Sequence, residues 1–295
     1  MIPPQQEHDI LRQSYVPEHI IQLMVLISKA EPFLTDDFVY YAKDNWLIFV
    51  GYPLDRSVSL TVCDTLLQDL RARFHPEYIW FIGTEVPPSL ASSCTERESD
   101  QYYTLDIQSL EVKSDLKRVV HKAMKDLVME RSHTMGKEHV DLTKEFIRRE
   151  KPSPRIRELF LAMPDYVKGS QTAVVLNARD KKGHLSAFYV VELGAESFAT
   201  YVVGCHSKKR YMAHASDLLF FEMIRLAQES GKTSINLGLG VNPGIRRFKE
   251  KWGGVPFLNY EFCEHHTGYT KPYSLMKSLV ERRWGGTQRR QGREV

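Results

Sequence analysis

The chain of 295 residues is long enough for about two domains of ordinary size. Hydrophobic residues make up 42% and charged residues 26% of it, which is typical of globular proteins and excludes a globally disordered chain. The formal net charge of +3 is too small to indicate nucleic-acid binding by itself, so local basic clusters are more informative than the total.

The first third of the chain predicts a short mixed sheet with helices. A polar start over residues 1–15 indicates a loose segment, and Val16–Ala30 has the pattern of a helix. The aromatic and β-branched runs Phe38–Tyr41 and Trp46–Tyr52 are separated by turn-forming residues, which indicates a hairpin. The next predicted elements are helix Val62–Phe74, strand Tyr78–Gly83, a long surface loop over residues 84–101 and strand Tyr102–Ile107.

The middle of the chain predicts helices followed by a meander. Helix Leu116–Glu130 has a basic face, and helices His139–Glu150 and Arg155–Met163 are separated by two prolines. The basic face consists of Lys117, Arg118, His121, Lys122 and Lys125. Three strands joined by short links follow, which predicts an antiparallel meander. These strands are Thr172–Ala178, His184–Leu193 and Ser197–Gly204.

The last part of the chain predicts two capped helices around a strand. In helix Ser216–Ser230, Ser216 is the expected N-cap and Gly231 the expected C′ residue. Strand Thr233–Leu239 is followed by a helix with Asn242 as N-cap and Pro243 as its first residue. A final strand is predicted over Pro256–Cys263.

The two halves of the chain share an order of elements without a recognisable sequence repeat. This order predicts an α/β (α+β) fold of two domains, each a mixed, mostly antiparallel sheet flanked by helices. The predicted domains are residues 1–112 and 113–268, with a basic C-terminal helix and tail over 269–295. Strands 197–204 and 233–239 are expected to run parallel and to diverge at one end.

The four cysteines are far apart and form neither a CxxC pair nor a zinc spacing. We therefore expect no disulfide framework and no metal site, with thiols that are buried or incidental in a reducing compartment. The N-terminus has no secretory pattern, and no apolar run approaches the roughly 20 residues of a membrane span. A soluble, cytoplasmic protein without a transmembrane segment is the expectation.

The loop Cys205–Ala215 combines basic and small residues directly before a helix. Small residues let a ligand approach the backbone, and unpaired N–H groups at a helix start favour an anion such as a pyrophosphate. Lys208, Lys209 and Arg210 would add positive charge. A solvated basic loop before an ordinary helix is the alternative interpretation.

The segment Gly238–Gly254 ends a strand in glycines and continues into a helix with several cations. Ile245, Phe248 and Trp252 are spaced to form a core face, which leaves Arg246 and Lys249 together on another face. A cation held at this sheet edge could stabilise an oxyanion or bind a substrate phosphate. From the residues alone, solvated cations and capping glycines remain the alternative.

Three other side chains are candidates for proton transfer or substrate contact. Glu192 could be a general base if it points into a cleft, and His206 beside the basic loop could accept a proton. Tyr201 could protonate a leaving group or contact the substrate, although strand tyrosines usually serve packing.

The order of elements and two motifs resemble the GNAT superfamily. Members of that superfamily bind acyl-CoA with a loop Arg/Gln-x-x-Gly-x-Gly/Ala that leads into a helix, and Arg210, Ala213 and Ala215 occupy those positions here, with alanine in place of the usual first glycine. The stretch Gly231–Gly254, with Phe248-Lys249-x-x-Trp252-Gly253-Gly254, and strand Tyr103–Ile107 before a basic helix are similar to the FemABX-type branch and to the C-terminal domain of phosphatidylglycerol lysyltransferases. The resemblance covers about residues 100–265.

The resemblance implies two GNAT-like domains, the first degenerate and the second an acyltransferase. It implies Lys249 as a functional lysine, and it places the donor along the basic loop, the start of the following helix and the diverging strand. The implied donor-binding residues are Lys208, Lys209, Arg210, Ala213, Ala215, Ser216, Asn236 and Gly238.

The expected reaction is transfer of an activated acyl or aminoacyl group to an amine. Acyl-CoA or aminoacyl-tRNA would be the donor co-substrate, with no permanently bound cofactor, and a small molecule or cell-envelope precursor would be the acceptor. The basic helix and tail favour tRNA as a partner, while the modest net charge disfavours it. A degenerate, non-catalytic ligand-binding module remains the alternative.

Overall fold

The predicted hairpin lies near one edge of an eleven-stranded sheet in the computed structural model, which describes residues 2–267. Strands β2 (Phe38–Lys43) and β3 (Trp46–Gly51) are joined through Asp44, which takes a left-handed conformation (φ 52°) that Asp and Asn tolerate. Strand β1 (Glu31–Thr35) pairs with β2 and was not predicted. Only five residues long and partly exposed at the sheet edge, it lacks an apolar alternation by which sequence could reveal it.

The segment before the hairpin is more ordered than predicted. The expected loose start contains helix α1 (Pro4–Gln13), so that prediction was wrong. The single predicted helix over Val16–Ala30 is instead a 3₁₀ turn at Pro17–His19 and helix α2 (Ile21–Ser28). Ile20 between them is extended (ψ 97°), which separates the two elements.

The predicted surface loop over residues 84–101 was also wrong in its second half. Helix α3 (Leu60–Phe74), strand β4 (Tyr78–Gly83) and the short helix α4 (Pro88–Ala91) precede strand β5, which starts at Glu96 and continues to Asp106. Glu96 already pairs with Glu264 of the last strand. Backbone pairing of this kind needs no apolar side chain, so the polar sequence of β5 gave no strand signal.

The basic helix is shorter than predicted, and an unpredicted strand follows it. Helix α5 covers Ser114–Ala123, and residues 127–130, which were expected to be helical, belong to strand β6 (Leu127–Ser132). Strand β6 is the far edge of the sheet and pairs only with the next strand, from Leu127 opposite Asp180 to Ser132 opposite Val175. Tertiary pairing therefore overrides the local helical pattern here.

The other predicted helices and strands of the second half are confirmed, with small shifts in their bounds. They are α6 (Lys137–Glu150), α7 (Pro154–Gly169), β7 (Ala173–Asp180), β8 (Leu185–Glu192), β9 (Phe198–His206), α8 (Ala215–Glu229), β10 (Ser234–Leu239), α9 (Pro243–Lys251) and β11 (Val255–His266). Asn242 caps α9 as predicted, since its Oδ1 accepts the N–H of Ile245 at 3.0 Å. The N-cap of α8 is His214 in a left-handed conformation (φ 64°), not Ser216.

The strands form one mixed sheet in the order β1-β2-β3-β4-β11-β5-β10-β9-β8-β7-β6. Only β3–β4 and β9–β10 are parallel pairs, and each is connected by a crossover helix, α3 and α8 respectively. The mixed α/β fold class is thus confirmed, and the same parallel unit occurs in both halves. The domain boundary at 112/113 stays a prediction; it falls between β5 and α5, and the expected C-terminal helix and tail over 269–295 lie outside the described residues.

Neighbouring tyrosines of β5 show how the sheet divides the core. Tyr103 packs with helices α5 and α8, whereas Tyr102 packs with the strands under helix α1. Helix α3 lies on the side of α8, and helices α2, α6 and α7 lie on the side of α1. We call these two sides of the sheet the α8 face and the α7 face.

Cys94 and Cys263 form a disulfide, which corrects the expectation of thiols only. Cys94 lies in the turn before β5 and Cys263 in β11, so the bond joins segments separated by 169 residues. No local pattern predicts this bond, because the two cysteines become neighbours only through the central position of β11 in the sheet. Cys63 and Cys205 are free and buried, as expected. Within residues 2–267, no helix is both long and apolar enough to cross a bilayer.

Reduction of the Cys94–Cys263 disulfide should lower the free energy of unfolding by about 2–4 kcal/mol, because it removes a constraint on a long loop of the unfolded chain. Urea denaturation with and without dithiothreitol measures this difference. Cys94→Ser should match the reduced protein and should not respond to dithiothreitol. Four titratable thiols in the denatured, unreduced protein would contradict the bond.

Candidate functional site

Strands β9 and β10 separate after a short stretch of parallel pairing. They pair through Ser234–Phe198, Ile235–Ala199 and Asn236–Thr200, and then no further, although β9 continues to His206. The predicted parallel, diverging arrangement is therefore confirmed. A gap between parallel strands exposes backbone polar groups that an extended ligand can bind.

Gly238 turns β10 away from β9 at this point. It has a positive φ of 73°, which favours glycine, and its N–H donates to Asn236 Oδ1 at 2.9 Å. The amide Nδ2 of Asn236 and the hydroxyl of Thr200 are both buried and have no hydrogen-bond partner among residues 2–267. Each residue is 2% exposed, and they are direct partners in the last pair before the gap. Unsatisfied buried polar groups are rare in proteins, which makes this pair beside the gap a candidate contact for a ligand.

The equivalent gap is closed in the first half of the chain. Strands β3 and β4 remain paired over all six positions, from Trp46–Tyr78 to Gly51–Gly83. The ring of Phe81 fills the space beside Gly51 and Gly83, where an added Cβ would lie 2.4 and 2.6 Å from it. Among residues 2–267, only the second parallel pair is therefore open to an extended ligand. That the first half is a degenerate domain stays a prediction.

The basic loop connects the end of β9 to the start of α8. Lys208, Lys209 and Arg210 are exposed, while Ala215 is buried as the first residue of α8. The first-turn N–H groups of α8, including that of Ser216, have no intrahelical acceptor. This arrangement can bind an anion, with side chains on one side and the helix start on the other.

Two carboxylates restrict that anion site, and neither was predicted. Glu145 of α6 accepts the backbone N–H groups of Lys208 and Lys209 at 2.7 and 3.4 Å, so those groups are already used. Asp217 in the first turn of α8 is buried and accepts the indole N–H of Trp252 at 3.1 Å and the ammonium of Lys251. An anion would therefore be bound by the loop side chains and the remaining helix N–H groups.

Lys249 lies buried at the end of β10. Its Nζ donates to the carbonyl of Leu239 at 2.5 Å and lies 5.5 Å from the ring centroid of Tyr103, and the residue is 4% exposed. Burial lowers the pKa of Lys249 to about 7, and Asp100 opposes this shift. A lysine in this environment is a strong hydrogen-bond donor when charged and is easily deprotonated.

The predicted core face of α9 is partly correct. Trp252 is buried against the ring of Phe220 at 5.0 Å, and Phe248 packs at 5.5 Å from the same ring. Ile245 is 37% exposed, however, so the apolar face does not extend to the start of the helix. The buried lysine, rather than the exposed isoleucine, is the main contact of α9 with the end of β10.

Asp100 of β5 holds the turn that precedes α9. Its Oδ2 accepts the N–H of Val241 at 2.7 Å, and its Oδ1 lies 3.4 Å from Arg246. Val241 has a φ of 58°, which is rare for a β-branched residue and indicates backbone strain. Arg246 is half-exposed beside this turn, three residues before Lys249. Asp100 thus contacts the turn and influences both cations of α9.

Tyr201 and His206 lie on β9 beyond the last pair with β10. The ring of Tyr201 packs edge-on against Tyr189 at 4.9 Å, and burial raises the pKa of its phenol well above the usual value, so it stays protonated. Partial burial, and after it the charge of Arg149, lowers the pKa of His206, which favours a neutral imidazole. The roles of Tyr201 as a proton donor and of His206 as a proton acceptor stay predictions.

Glu192 lies beside Thr200, at the end of β9 that is remote from His206. It pairs with Thr200, six residues and roughly 20 Å along β9 from His206. Its carboxylate accepts hydrogen bonds from Tyr166, Thr172 and the N–H of Gly194, the last at 2.6 Å. These contacts join α7, β7 and β8, so the geometry gives Glu192 a structural role and no support for a general base.

Sequence reasoning missed the polar residues that the topology adds to this site. Thr200 sits on a strand whose pattern indicates only packing, Asp100 lies in the stretch predicted to be a surface loop, and Glu145 is one of several charges on an amphipathic helix. Among residues 2–267, no group of three His, Cys, Asp or Glu side chains is arranged to hold a metal ion.

No family model matches this chain. A search of curated proteins finds no match either. Solved structures do match over almost the whole chain. L-PGS from Bacillus licheniformis has a TM-score of 0.55 at 14% identity, covering 95% of this chain and 96% of that one. FemX has a TM-score of 0.60 at 12% identity, covering 96% and 98%.

A tandem GNAT protein from the clavulanic acid biosynthesis pathway is also similar, with a TM-score of 0.50 at 10% identity over 79% of both chains. At these identities the likeness concerns the fold. The arrangement of two parallel crossover units in one sheet is thus shared with L-PGS, FemX and a tandem GNAT protein, and the chain has a FemABX-like GNAT fold.

Proposed function

We propose that this protein is an N-acyltransferase that moves an activated acyl or aminoacyl group onto an amine. The observation that carries the proposal is the gap between β9 and β10, where buried Asn236 Nδ2 and Thr200 Oγ1 have no partner and Lys249 lies at the end of β10. An extended acyl donor in the gap would satisfy these groups. The fold shared with FemX and L-PGS supports the same reaction class.

In the proposed reaction, the nitrogen lone pair of the acceptor attacks the acyl carbonyl carbon of a thioester or ester. The carbonyl oxygen becomes negative, and the Lys249 ammonium stabilises it at the end of β10. The tetrahedral intermediate collapses, the carbon–sulfur or carbon–oxygen bond breaks, and the amide forms. The leaving group takes a proton from the Tyr201 phenol, the predicted donor, and the proton lost by the attacking amine restores the phenol. The donor is already activated, so no covalent enzyme intermediate is required.

Acyl-CoA is the first donor to test. Lys208, Lys209, Arg210 and the first turn of α8 would bind its diphosphate, with Ala213 and Ala215 allowing a close approach. Asn236, Thr200 and Gly238 would contact the amide-containing arm in the gap. Glu145 and Asp217 add negative charge nearby, so the affinity depends strongly on the three basic side chains.

Aminoacyl-tRNA is the second candidate donor, and the exposed basic surface of α5 favours it. Lys117, Arg118, His121 and Lys122 all face solvent on this helix. Phosphate contacts by such residues make binding strongly salt-dependent. The names of FemX and L-PGS are compatible with either donor.

Calorimetric titration with acetyl-CoA, free CoA and aminoacyl-tRNA separates these candidates. Binding of acetyl-CoA without a steep salt dependence supports the thioester donor. Binding of aminoacyl-tRNA that Lys117→Ala/Lys122→Ala weakens supports the second donor. If neither ligand binds, the acyl-transfer proposal is wrong.

Lys249→Met should lower the single-turnover rate of transfer by about 10²–10³-fold, the usual cost of one lost oxyanion contact. Methionine fills a similar volume without a charge, so the protein should fold. Arg247→Met, an exposed position on the same helix, is the control and should keep the parent rate. Equal rates for the parent and Lys249→Met would exclude the catalytic role, and Arg246 would then be tested.

The same lysine should give stability a characteristic dependence on pH. The pKa of Lys249 is about 7 in the folded protein and about 10.4 in an unfolded chain, so between these values the unfolded state binds more protons. The free energy of unfolding should therefore rise from pH 7 to pH 10 in the parent relative to Lys249→Met. Urea denaturation across this range measures the difference, and parallel curves would contradict the depressed pKa.

Lys209→Ala/Arg210→Ala should weaken acetyl-CoA binding by about 1–3 kcal/mol, or roughly 5- to 150-fold, if both side chains bind the diphosphate. Arg73→Ala/Lys168→Ala removes the same charge from exposed positions on α3 and at the end of α7 and should leave the affinity unchanged. Similar losses in both double variants would indicate a general charge effect and not a site.

A further inference from the structure

The 3₁₀ turn at Pro17–His19 places a carboxylate against the tyrosines of the α7 face. The turn is fixed to the sheet at two points: the carbonyl of Glu18 accepts the Tyr41 hydroxyl at 2.9 Å, and His19 Nε2 bonds to the carbonyl of Tyr52 at 2.7 Å. The Glu18 side chain then reaches β5, where its Oε1 accepts the Tyr102 hydroxyl at 2.7 Å. Its position is therefore determined by backbone contacts and not by an ion pair.

Glu18 has no basic partner among residues 2–267, which is unusual for an enclosed carboxylate. Its Oε2 is inaccessible and has no hydrogen bond. The nearest guanidinium, that of Arg155, pairs with Glu98, donates to the Tyr260 hydroxyl at 3.2 Å and stacks on Phe262 at 4.1 Å. That cation is therefore engaged elsewhere. Burial raises the pKa of Glu18, while the Tyr102 hydroxyl and Arg155 oppose the shift.

The surroundings of Glu18 have the composition of a cation-binding cage. The rings of Tyr52, Tyr102 and Tyr260 form an edge-to-face series, with centroid distances of 6.1 and 5.5 Å, whereas the ring of Tyr15 beside them is already covered by the Arg56 guanidinium at 4.0 Å. Tyrosine rings and a carboxylate together attract an organic cation by charge and by the ring quadrupole. His19 beside them is fully buried with Nδ1 unpartnered, and burial lowers its pKa to about 4, so it adds no competing charge.

The cage lies on the same side of the sheet as the open polar groups of the gap. Alternation along β5 puts Thr104 on the side of Tyr102, and Thr104 pairs with Asn236, which in turn pairs with Thr200. Phe257 is 38% exposed and lies 6.3 Å from the Tyr102 ring, so the edge of the cage reaches solvent. A ligand that enters beside Phe257 would meet Glu18 first and the gap next.

We propose that Glu18 and the rings of Tyr52, Tyr102 and Tyr260 form a recognition site for a primary ammonium group. This site binds the cation whether or not transfer occurs. Given the proposed function, on which this step rests, the group is the amine of the acceptor, held on the α7 face while the donor occupies the gap. The acceptor is then a cationic amine and not an alcohol or an anionic head group.

Ethanolamine and ethylene glycol test the proposal on the full-length protein, because they differ only in the charged amine. An NMR titration should show ethanolamine binding and no binding of the glycol. Glu18→Gln should weaken ethanolamine binding at least tenfold, since the amide keeps the Tyr102 contact and removes the charge. Glu264→Gln is the matched control: it neutralises another carboxylate of this region, bonded to the Trp80 indole, and should not change the affinity.

Three results would overturn the proposal: no ethanolamine binding, equal binding of the glycol, or unchanged affinity in Glu18→Gln. If Glu18→Gln does not fold, the carboxyl resonance of carbon-13-labelled glutamate in the parent decides. Ethanolamine must then shift one carboxyl group from its protonated to its ionised position. The site is contradicted if the Glu18 carboxyl group stays protonated when ethanolamine is added, or if a fixed water already hydrogen-bonds to it. Acetyl-CoA affinity is measured in parallel, so that loss of donor binding alone counts against the proposed transferase and not against the ammonium site.

Discussion

The pairing of β11 with both β4 and β5 is the contact on which the rest of the structure depends. One strand of twelve residues forms six pairs with β4 and nine with β5, and so joins the two halves in one sheet. Because α9 directly precedes β11, this pairing also fixes the helix that carries Lys249. Gly254 makes the tight connection possible: its N–H bonds to the Lys249 carbonyl at 2.9 Å, and a Cβ there would lie 2.7 Å from Leu237.

The sequence predicts the second half of the fold better than the first for a physical reason. Strands β7 to β10 and helix α8 are buried and periodic, so their side chains reveal them. Strands β5 and β6 are held by backbone pairing with partners distant in the chain, and polar residues such as Glu96 and Glu130 serve as well as apolar ones. The Cys94–Cys263 disulfide follows from the same long-range pairing and has no local signature.

The residues of the candidate site divide in the same way: some belong to one local motif, and others reach the site only through contacts that are distant in the chain. Lys249, Asn236 and Gly238 lie within one motif, and resemblance to a family was enough to identify them as candidates. Asp100 and Glu145 lie more than 60 residues from the groups that they contact, Val241 and Lys208. Glu192 shows the same limit from the other side, because its strand pattern permits a general base, whereas only the structure reveals its hydrogen bonds with Tyr166, Ser170, Thr172 and Gly194.

Strand β5 separates two ionisable groups that form no ion pair with any residue of the described range 2–267. Glu18 contacts Tyr102 and Lys249 lies over the ring of Tyr103, and since adjacent strand residues point to opposite faces, the acid and the base cannot neutralise each other. Burial favours the uncharged form of both side chains. It therefore raises the pKa of Glu18 and lowers the pKa of Lys249. The gap between β9 and β10 interrupts the sheet one strand away from both. A donor and an acceptor that approach from opposite faces of the sheet could therefore meet only at this gap. The amine of the acceptor would then come from the side of Glu18, and the acyl oxygen of the donor would lie toward Lys249.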